Sequence, residues 1–319
     1  MKCKNSYEKT ALCELLGIEH PIILGAMGNI STAKLAAAVS NAGALGSVAT
    51  AFISIEAAQY EIQECKRLTV KPFAVNCPLF RPDADAMLDT IIKEGVGIIS
   101  TSAGSPERWA EKTRGSGVKW LHVVSNVRGA ARASAAGVDV IIAEGTESGG
   151  IASRDEITTM VLIPQVVDAV KVPVVAAGGI ADARGFLAAL ALGAQGVQMG
   201  TAFLATKECD RVSNTYKQVL LNASDTATGL ATRKAYPVRM IKNKLFDTLQ
   251  HMDEEGKSRD EIQMMLAPKM MNLSQESDPA NGFYLAGQVA GLIREIKTVR
   301  ELIEDITTEA ERLYHSLAR

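Results

Sequence analysis

The chain has 319 residues, with 34 lysines and arginines against 36 aspartates and glutamates, and a formal net charge of −2. That balance, with no basic run interleaved with aromatics, argues against direct nucleic-acid binding and gives no reason for an anionic membrane partner. No apolar stretch approaches the ~20 residues that span a bilayer, and Met1-Lys2-Cys3-Lys4-Asn5 leads into polar residues rather than an apolar signal core.

Short apolar runs alternate with helix-like segments. Pro21-Ile22-Ile23-Leu24 reads as a first buried strand ending in Gly25-Ala26-Met27-Gly28. Ser31 is placed to cap a helix carrying Leu35, Ala38 and Val39 at helical spacing, and Gly43 to end it. Leu45–Val48 is a second strand, Ile53–Arg67 a helix, and Pro72–Asn76 a third strand. Ala84–Lys93 is helical, Val96–Ser100 a fourth strand, Pro106–Thr113 helical, and Trp120–Val124 a fifth strand. An Ala-rich helix at Val127–Ala136 precedes the sixth strand at Val138–Ala143. The next helix, Met160–Val170, carries Pro164, which fits a first turn or causes a kink. Pro173–Ala177 is the seventh strand, Arg184–Leu192 a helix, and Gly196–Met199 the eighth strand.

Parallel strands need crossover helices, and nearly all-apolar strands are buried on both faces. Eight such units predict a (β/α)8 TIM barrel of roughly 250 residues plus an insertion, with its chemistry at the C-terminal strand ends. The barrel is assigned to residues 1–206 and 282–319. Residues 207–281 are more polar and Met-rich, and are read as a helical insertion or lid, with helices near Thr215–Ala223, Val238–Glu254 and Asp260–Met271. Core packing is preferred over an acyl pocket for Met264, Met265, Met270 and Met271. Ala286–Leu317 supplies one or two closing helices.

Candidate ligand groups gather at the strand ends. Gly178-Gly179 and Gly200-Thr201 follow the last two strands, where backbone N–H groups of such barrels hold phosphate. Gly25, Ala26 and Met27 can present backbone to a flat ring, and Asn76 offers both a donor and an acceptor to a heteroaromatic edge. Ser100, Thr101 and Ser102 offer hydroxyls, or simply form a turn. Glu144 ends the sixth strand, where an apolar setting is costly without a hydrogen-bonding partner, and an inward role is favoured over a solvated one. His122 reads first as a satisfied core histidine and second as a site residue, while His20, His251 and His315 read as surface residues. The five scattered cysteines, Cys3, Cys13, Cys65, Cys77 and Cys209, form no C-x-x-C pair, against a disulfide framework or zinc site. Cys77 reads as an inert buried thiol. No G-x-G-x-x-G fingerprint follows an early strand, so a nicotinamide cofactor would be a visiting substrate.

Pro21–Met27, Leu35–Gly46, Phe73–Asn76, Glu144–Gly150, Ala177–Ile180 and Gln198–Phe203, in this order, resemble the FMN-dependent family of nitronate monooxygenases and enoyl-ACP reductase II. The resemblance implies FMN, with its phosphate at Gly178, Gly179, Gly200 and Thr201. It places the ring against Gly25, Ala26, Met27 and Asn76, near Ser148, Gly149 and Gly150, with Ala286-Gly287-Gln288 as a late element beside it. Thr158–Met160 and Val238–Asn243 look more like the enoyl-reductase side, and the loop Arg154–Thr159 also resembles a branch with a slightly longer loop.

Family members usually carry a histidine directly after the paired glycines; here it is Ile151, which cannot move a proton. General acid–base help is typically worth 10²–10⁴-fold, so solvent or Ser148 would have to relay the proton. The leading expectation is NAD(P)H-driven reduction of an activated C=C bond such as an enoyl thioester. The alternatives are nitronate oxidation with O₂, and a flavin-binding protein with little catalysis. Expected partners are a small-molecule or acyl-thioester substrate and, as one option, a second copy in a homodimer. No metal is expected, and the expected setting is the cytoplasm.

Overall fold

The computed structural model describes residues 9–234, 237–272 and 276–317, so Cys3 and the rest of residues 1–8 lie outside the described residues. α1 (Ala11–Leu16) leads into β1 (Ile22–Leu24), α2 (Ala33–Asn41), β2 (Gly46–Ala49) and α3 (Ile55–Leu68). β3 (Phe73–Pro78), α4 (Ala84–Lys93), β4 (Ile98–Ser102), α5 (Ala110–Arg114) and β5 (Lys119–Val124) follow. Then come α6 (Val127–Ala136), β6 (Val140–Glu144), the two-residue β7 (Gly150–Ile151), α7 (Thr159–Ala169), β8 (Val174–Ala177), α8 (Ala183–Ala191) and β9 (Gly196–Met199). The chain finishes through α9 (Thr201–Leu204), α10 (Asn214–Leu221), β10 (Thr228–Ala231), β11 (Val238–Ile241), α11 (Lys244–Glu254), α12 (Arg259–Met271) and α13 (Val299–Leu317).

Eight strands pair in parallel in the order β1-β9-β8-β6-β5-β4-β3-β2. The ring closes where Leu45 bridges Ile23: Leu24 N–H donates to the Leu45 carbonyl and Leu45 N–H to the Ile22 carbonyl, both at 2.9 Å. This is a TIM barrel. The period-2 alternation of strands divides the core. Ile23, Leu45, Ala74, Leu121, Val140, Ile142 and Val175 pack together in the interior, where Leu12, Cys13 and Leu16 of α1 join them. Ile22, Leu24, Ile141 and Val174 pack outward with the helices. Each fully buried isoleucine or leucine contributes about 1.5–3 kcal/mol. At Gly46 a Cβ would lie 1.9 Å from the Ala36 carbonyl oxygen, so only glycine lets β2 pack this closely on α2. Side chains start several helices: Ser54 accepts from Ala57 N–H, Asn126 from Gly129 N–H, and Asp182 from Arg184 and Gly185 N–H.

Two local expectations are corrected, and for Pro164 one of the two alternatives is removed. Ser31 does not cap α2: the N-cap is Thr32, without a side-chain cap, and buried Ser31 turns back to the loop after β1. Pro164 lies inside α7, beyond its first turn, where its missing N–H removes one helical bond. Val238 opens a strand rather than a helix. β11 pairs antiparallel with β10 on one side and with β7 on the other, and α11 starts only at Lys244, after an Asn243 cap. The loop after β6 therefore becomes an edge of a small second sheet. Among the described residues, no helix is long and apolar enough to cross a membrane.

Candidate active site

The C-terminal strand ends surround a cavity of about 580 Å³, within the range of cofactor sites. Gly25, Ala26, Met27, Asn76, Glu144, Ser148, Gly149, Gly150, Gly178, Gly179, Gly200 and Thr201 all line it.

One end is a polar cradle of main chain. Gly178 and Gly179 hold φ of +90° and +75°, which favour glycine. A Cβ on Gly178 would meet the Gly145 carbonyl oxygen at 2.8 Å. Among the described residues, the amides of Gly178, Gly179, Gly200 and Thr201 donate no backbone hydrogen bond. Four amides with no main-chain partner, gathered on one cavity end, suit an anionic ligand group. The Thr201 hydroxyl accepts from Gly287 N–H at 2.9 Å, which leaves its own proton to donate.

The opposite wall is held from behind. Ser31 Oγ accepts from Met27 N–H at 3.0 Å and donates to the Gly25 carbonyl at 3.2 Å, fixing the turn that follows β1. The Asn76 amide nitrogen faces Ser100 Oγ at 3.2 Å and Ser102 Oγ at 3.5 Å, so those hydroxyls orient it. The Thr50 hydroxyl donates to the Asn76 carbonyl at 2.7 Å, and buried Arg81 donates to the carbonyls of Thr50 and, at 2.9 Å, Ile53. Arg81 was not singled out from sequence, because a lone arginine after a strand carries no local signal.

The loop after β6 is tied down along its length. Glu147 accepts from Thr159 N–H at 2.9 Å, at the first turn of α7. Arg239 Nε donates to the Thr146 carbonyl at 2.8 Å, and Gln288 N–H to the Glu147 carbonyl at 2.9 Å. A Cβ on Gly149 would sit 2.6 Å from the backbone of Ala286 and Gly287, so the loop touches the late glycine element directly. Glu147 and Arg239, which the sequence reading carried only inside longer motifs, are the side chains that tie this loop down.

Glu144 is half-buried in the cavity wall. Burial pushes its carboxyl up to about 7, with a hydrogen bond from Ser148 pulling the other way. It therefore exchanges a proton near neutral pH. His122 also lines the cavity but is 3% exposed, with Nδ1 2.8 Å from the Thr101 hydroxyl, which in turn accepts from Trp120 Nε1 at 2.8 Å. Burial pulls it down to about 4, so it stays neutral and serves as a hydrogen-bonding wall group. Ile151 lies on β7 opposite Val238, 38% exposed at the cavity edge.

Other candidates fall elsewhere. The exposed Gln288 side chain lines a second cavity with Arg233, Arg239 and Lys242; Gly287, before it, lines the central one. Met270 is buried against the core and lines the central cavity, whereas Met264 and Met271 are exposed. His20 is half-buried, while His251 and His315 are exposed. Among the described residues Cys13, Cys65, Cys77 and Cys209 are buried and form no disulfide, and burial pushes Cys77 up to about 12. Among the described residues, no cluster of His, Cys, Asp or Glu could hold a metal.

Known proteins are similar to this chain in sequence and fold. The structure of FabK from Thermotoga maritima is similar at 39% identity, with 97% of this chain and 98% of that chain covered and a TM-score of 0.93. A (3aS,4S,5R,7aS)-5-hydroxy-7a-methyl-1-oxo-octahydro-1H-indene-4-carboxyl-CoA dehydrogenase of Rhodococcus jostii is 31% identical, over 95% of this chain and 96% of its own. A probable nitronate monooxygenase of Staphylococcus saprophyticus is also 31% identical, over 95% and 98%. The sequence model of the nitronate monooxygenase family matches residues 9–90 and 81–309. The chain is an oxidoreductase that belongs to the nitronate monooxygenase family of flavin enzymes.

Proposed function

We propose that the central cavity binds FMN and that the protein is an NAD(P)H-driven reductase of an activated C=C bond, such as that of an enoyl thioester. The observation that carries the cofactor reading is the set of unspent amides at Gly178, Gly179, Gly200 and Thr201, facing a wall where Asn76 presents its amide edge. These amides would hold the phosphate, while Gly25, Ala26 and Met27 would lie along the ring and Asn76 would bond its polar edge. When bound, FMN supplies the electron and hydride chemistry.

The protein's own part is to bind, orient and supply a proton. Glu144, held near neutral pH, is the proton reservoir, and the Ser148 hydroxyl hydrogen-bonded to it is the relay toward the substrate side. This pair stands in for the base that Ile151 cannot be. Met270 and Tyr216, which line the cavity from residues 207–281, support a covering role for that segment. Asn29 ties the turn after β1 to it through Met270 O at 3.2 Å and Met271 O at 3.3 Å.

The likeness to FabK and to a carboxyl-CoA dehydrogenase supports a thioester substrate. The second reading is oxidation of alkyl nitronates with O₂. It is favoured by Ile151, since an already ionised nitronate needs no base, and by the family match. Anaerobic mixing separates the two. Rapid bleaching of bound flavin by NADH or NADPH but not by a nitronate supports the reductase; bleaching by nitronate alone overturns it.

A further inference from the structure

Outside the central site lies a second, smaller and more open cavity bounded by β10, β11 and α11. Its charged wall residues are Arg233, Arg239 and Lys242; Gln250 and Gln288 add amides, and no carboxylate lines it. Arg239 is 5% exposed, and its Nε is spent on the Thr146 carbonyl. Among the described residues, its two Nη nitrogens donate to nothing. Glu147 is the acid that acts on it most strongly, but that carboxylate is already bonded to Thr159. Burial draws the Arg239 guanidinium below its ordinary value; Glu147 works against this, and Arg233 adds like-charge repulsion. Arg233 is held at 3.4 Å from Glu156, and Lys242 has no ion-pair partner among the described residues. A largely buried arginine that lines this cavity beside two more cations is an arrangement suited to a phosphate.

Position tells which phosphate. Arg239 pairs with Gly150 across the β11–β7 ladder, and Gly150 lines the central cavity. Adjacent strands lie about 4.8 Å apart, so residues one strand spacing apart line the two cavities. Gln288 and Gly287 straddle the same wall. A ligand with its reacting end in one cavity and phosphates several atoms away in the other would bridge them.

We propose that the cavity formed by Arg233, Arg239 and Lys242 is a nucleotide-phosphate subsite for a ligand whose reactive end enters the central cavity. It deepens the reductase reading and rests on it. Coenzyme A thioesters and NADPH both have this form, whereas a small nitronate does not.

The test is equilibrium binding to the flavin-loaded, oxidised protein, without turnover. The probes are coenzyme A with its phosphate-free counterpart pantetheine, and NADP+ with nicotinamide riboside, oxidised forms that cannot pass hydride to the oxidised flavin. Lys242→Met keeps the apolar stem that lies over Gly229, and Arg233→Met removes a second exposed cation. Each variant should weaken a phosphate-bearing probe about tenfold, the scale of one charge-assisted hydrogen bond, and leave its phosphate-free counterpart unchanged. Lys242→Arg should restore binding. An effect on coenzyme A alone assigns the thioester, and on NADP+ alone the nicotinamide cofactor; an effect on both assigns a shared subsite. The proposal is overturned if neither phosphate-bearing probe binds, if neither weakens, or if the phosphate-free probes weaken equally. Failure of NAD(P)H to reduce the flavin would instead remove the reductase reading, a separate result.

Discussion

Replacing Glu144 by glutamine probes the proton reservoir without changing side-chain size. Burial raises the folded-state carboxyl from 4.5 to about 7. A group raised in the folded state contributes stability that is complete below its unfolded value and lost as pH rises through the folded one. The window here therefore runs from about pH 4.5 to pH 7. A shift of this size is worth about 3 kcal/mol at 1.36 kcal/mol per unit, and about 2.5 kcal/mol of it falls between pH 5 and pH 9. Urea denaturation of flavin-stripped wild-type and Glu144→Gln protein at those two pH values gives the double difference. Wild-type protein should lose about 2.5 kcal/mol more than the variant on going to pH 9. With flavin restored, Glu144→Gln should lower enoyl-thioester turnover by about 10²–10⁴-fold, the usual worth of general acid–base help. Equal pH dependence in the two proteins would refute the reasoning, because it would mean that Glu144 ionises as freely as in the unfolded chain.

Ile151→His should raise enoyl turnover by less than about tenfold, because Glu144 and Ser148 already supply the proton; a gain in the 10²–10⁴-fold range would show that they do not. Gly149→Ala would drive a Cβ to 2.6 Å from the Ala286–Gly287 backbone. This overpacking costs about 1–3 kcal/mol and should weaken flavin binding at least tenfold by fluorescence titration. His122, drawn down to about 4 from 6.5, should cost the protein about 3 kcal/mol as pH falls from 6.5 to 4, since the unfolded chain takes the proton first. His122→Gln should remove that acid sensitivity, as read by thermal melting across the range.

The barrel was legible because most of its strands are short apolar runs buried on both faces, a signal carried within three to six residues, as in Val140–Glu144 and Val174–Ala177. The glycine cradle was legible for a similar reason: Gly178 and Gly179 occupy backbone that other residues rarely adopt. What stayed hidden is non-local. Gly150–Ile151 becomes a strand only because β11 lies beside it, and no periodicity exists in two residues. Val238–Ile241 precedes a helical pattern and was absorbed into it, which hid the inward face of Arg239. Ser31 has the residue type of a cap, but its hydroxyl is better used between Gly25 and Met27, where the buried turn would otherwise leave polar groups unpaired. The Gln288 side chain was expected beside the cofactor from its neighbours Ala286 and Gly287; the turn that follows them sends it to the other cavity.

The most direct test of the account is the visible spectrum of the purified protein after incubation with FMN and removal of excess, followed by anaerobic titration with NADH, NADPH and an alkyl nitronate. The account predicts one FMN per chain and full bleaching of the flavin band by a nicotinamide donor. A protein that retains no flavin, or one whose flavin is bleached by the nitronate and by neither nicotinamide, would contradict it.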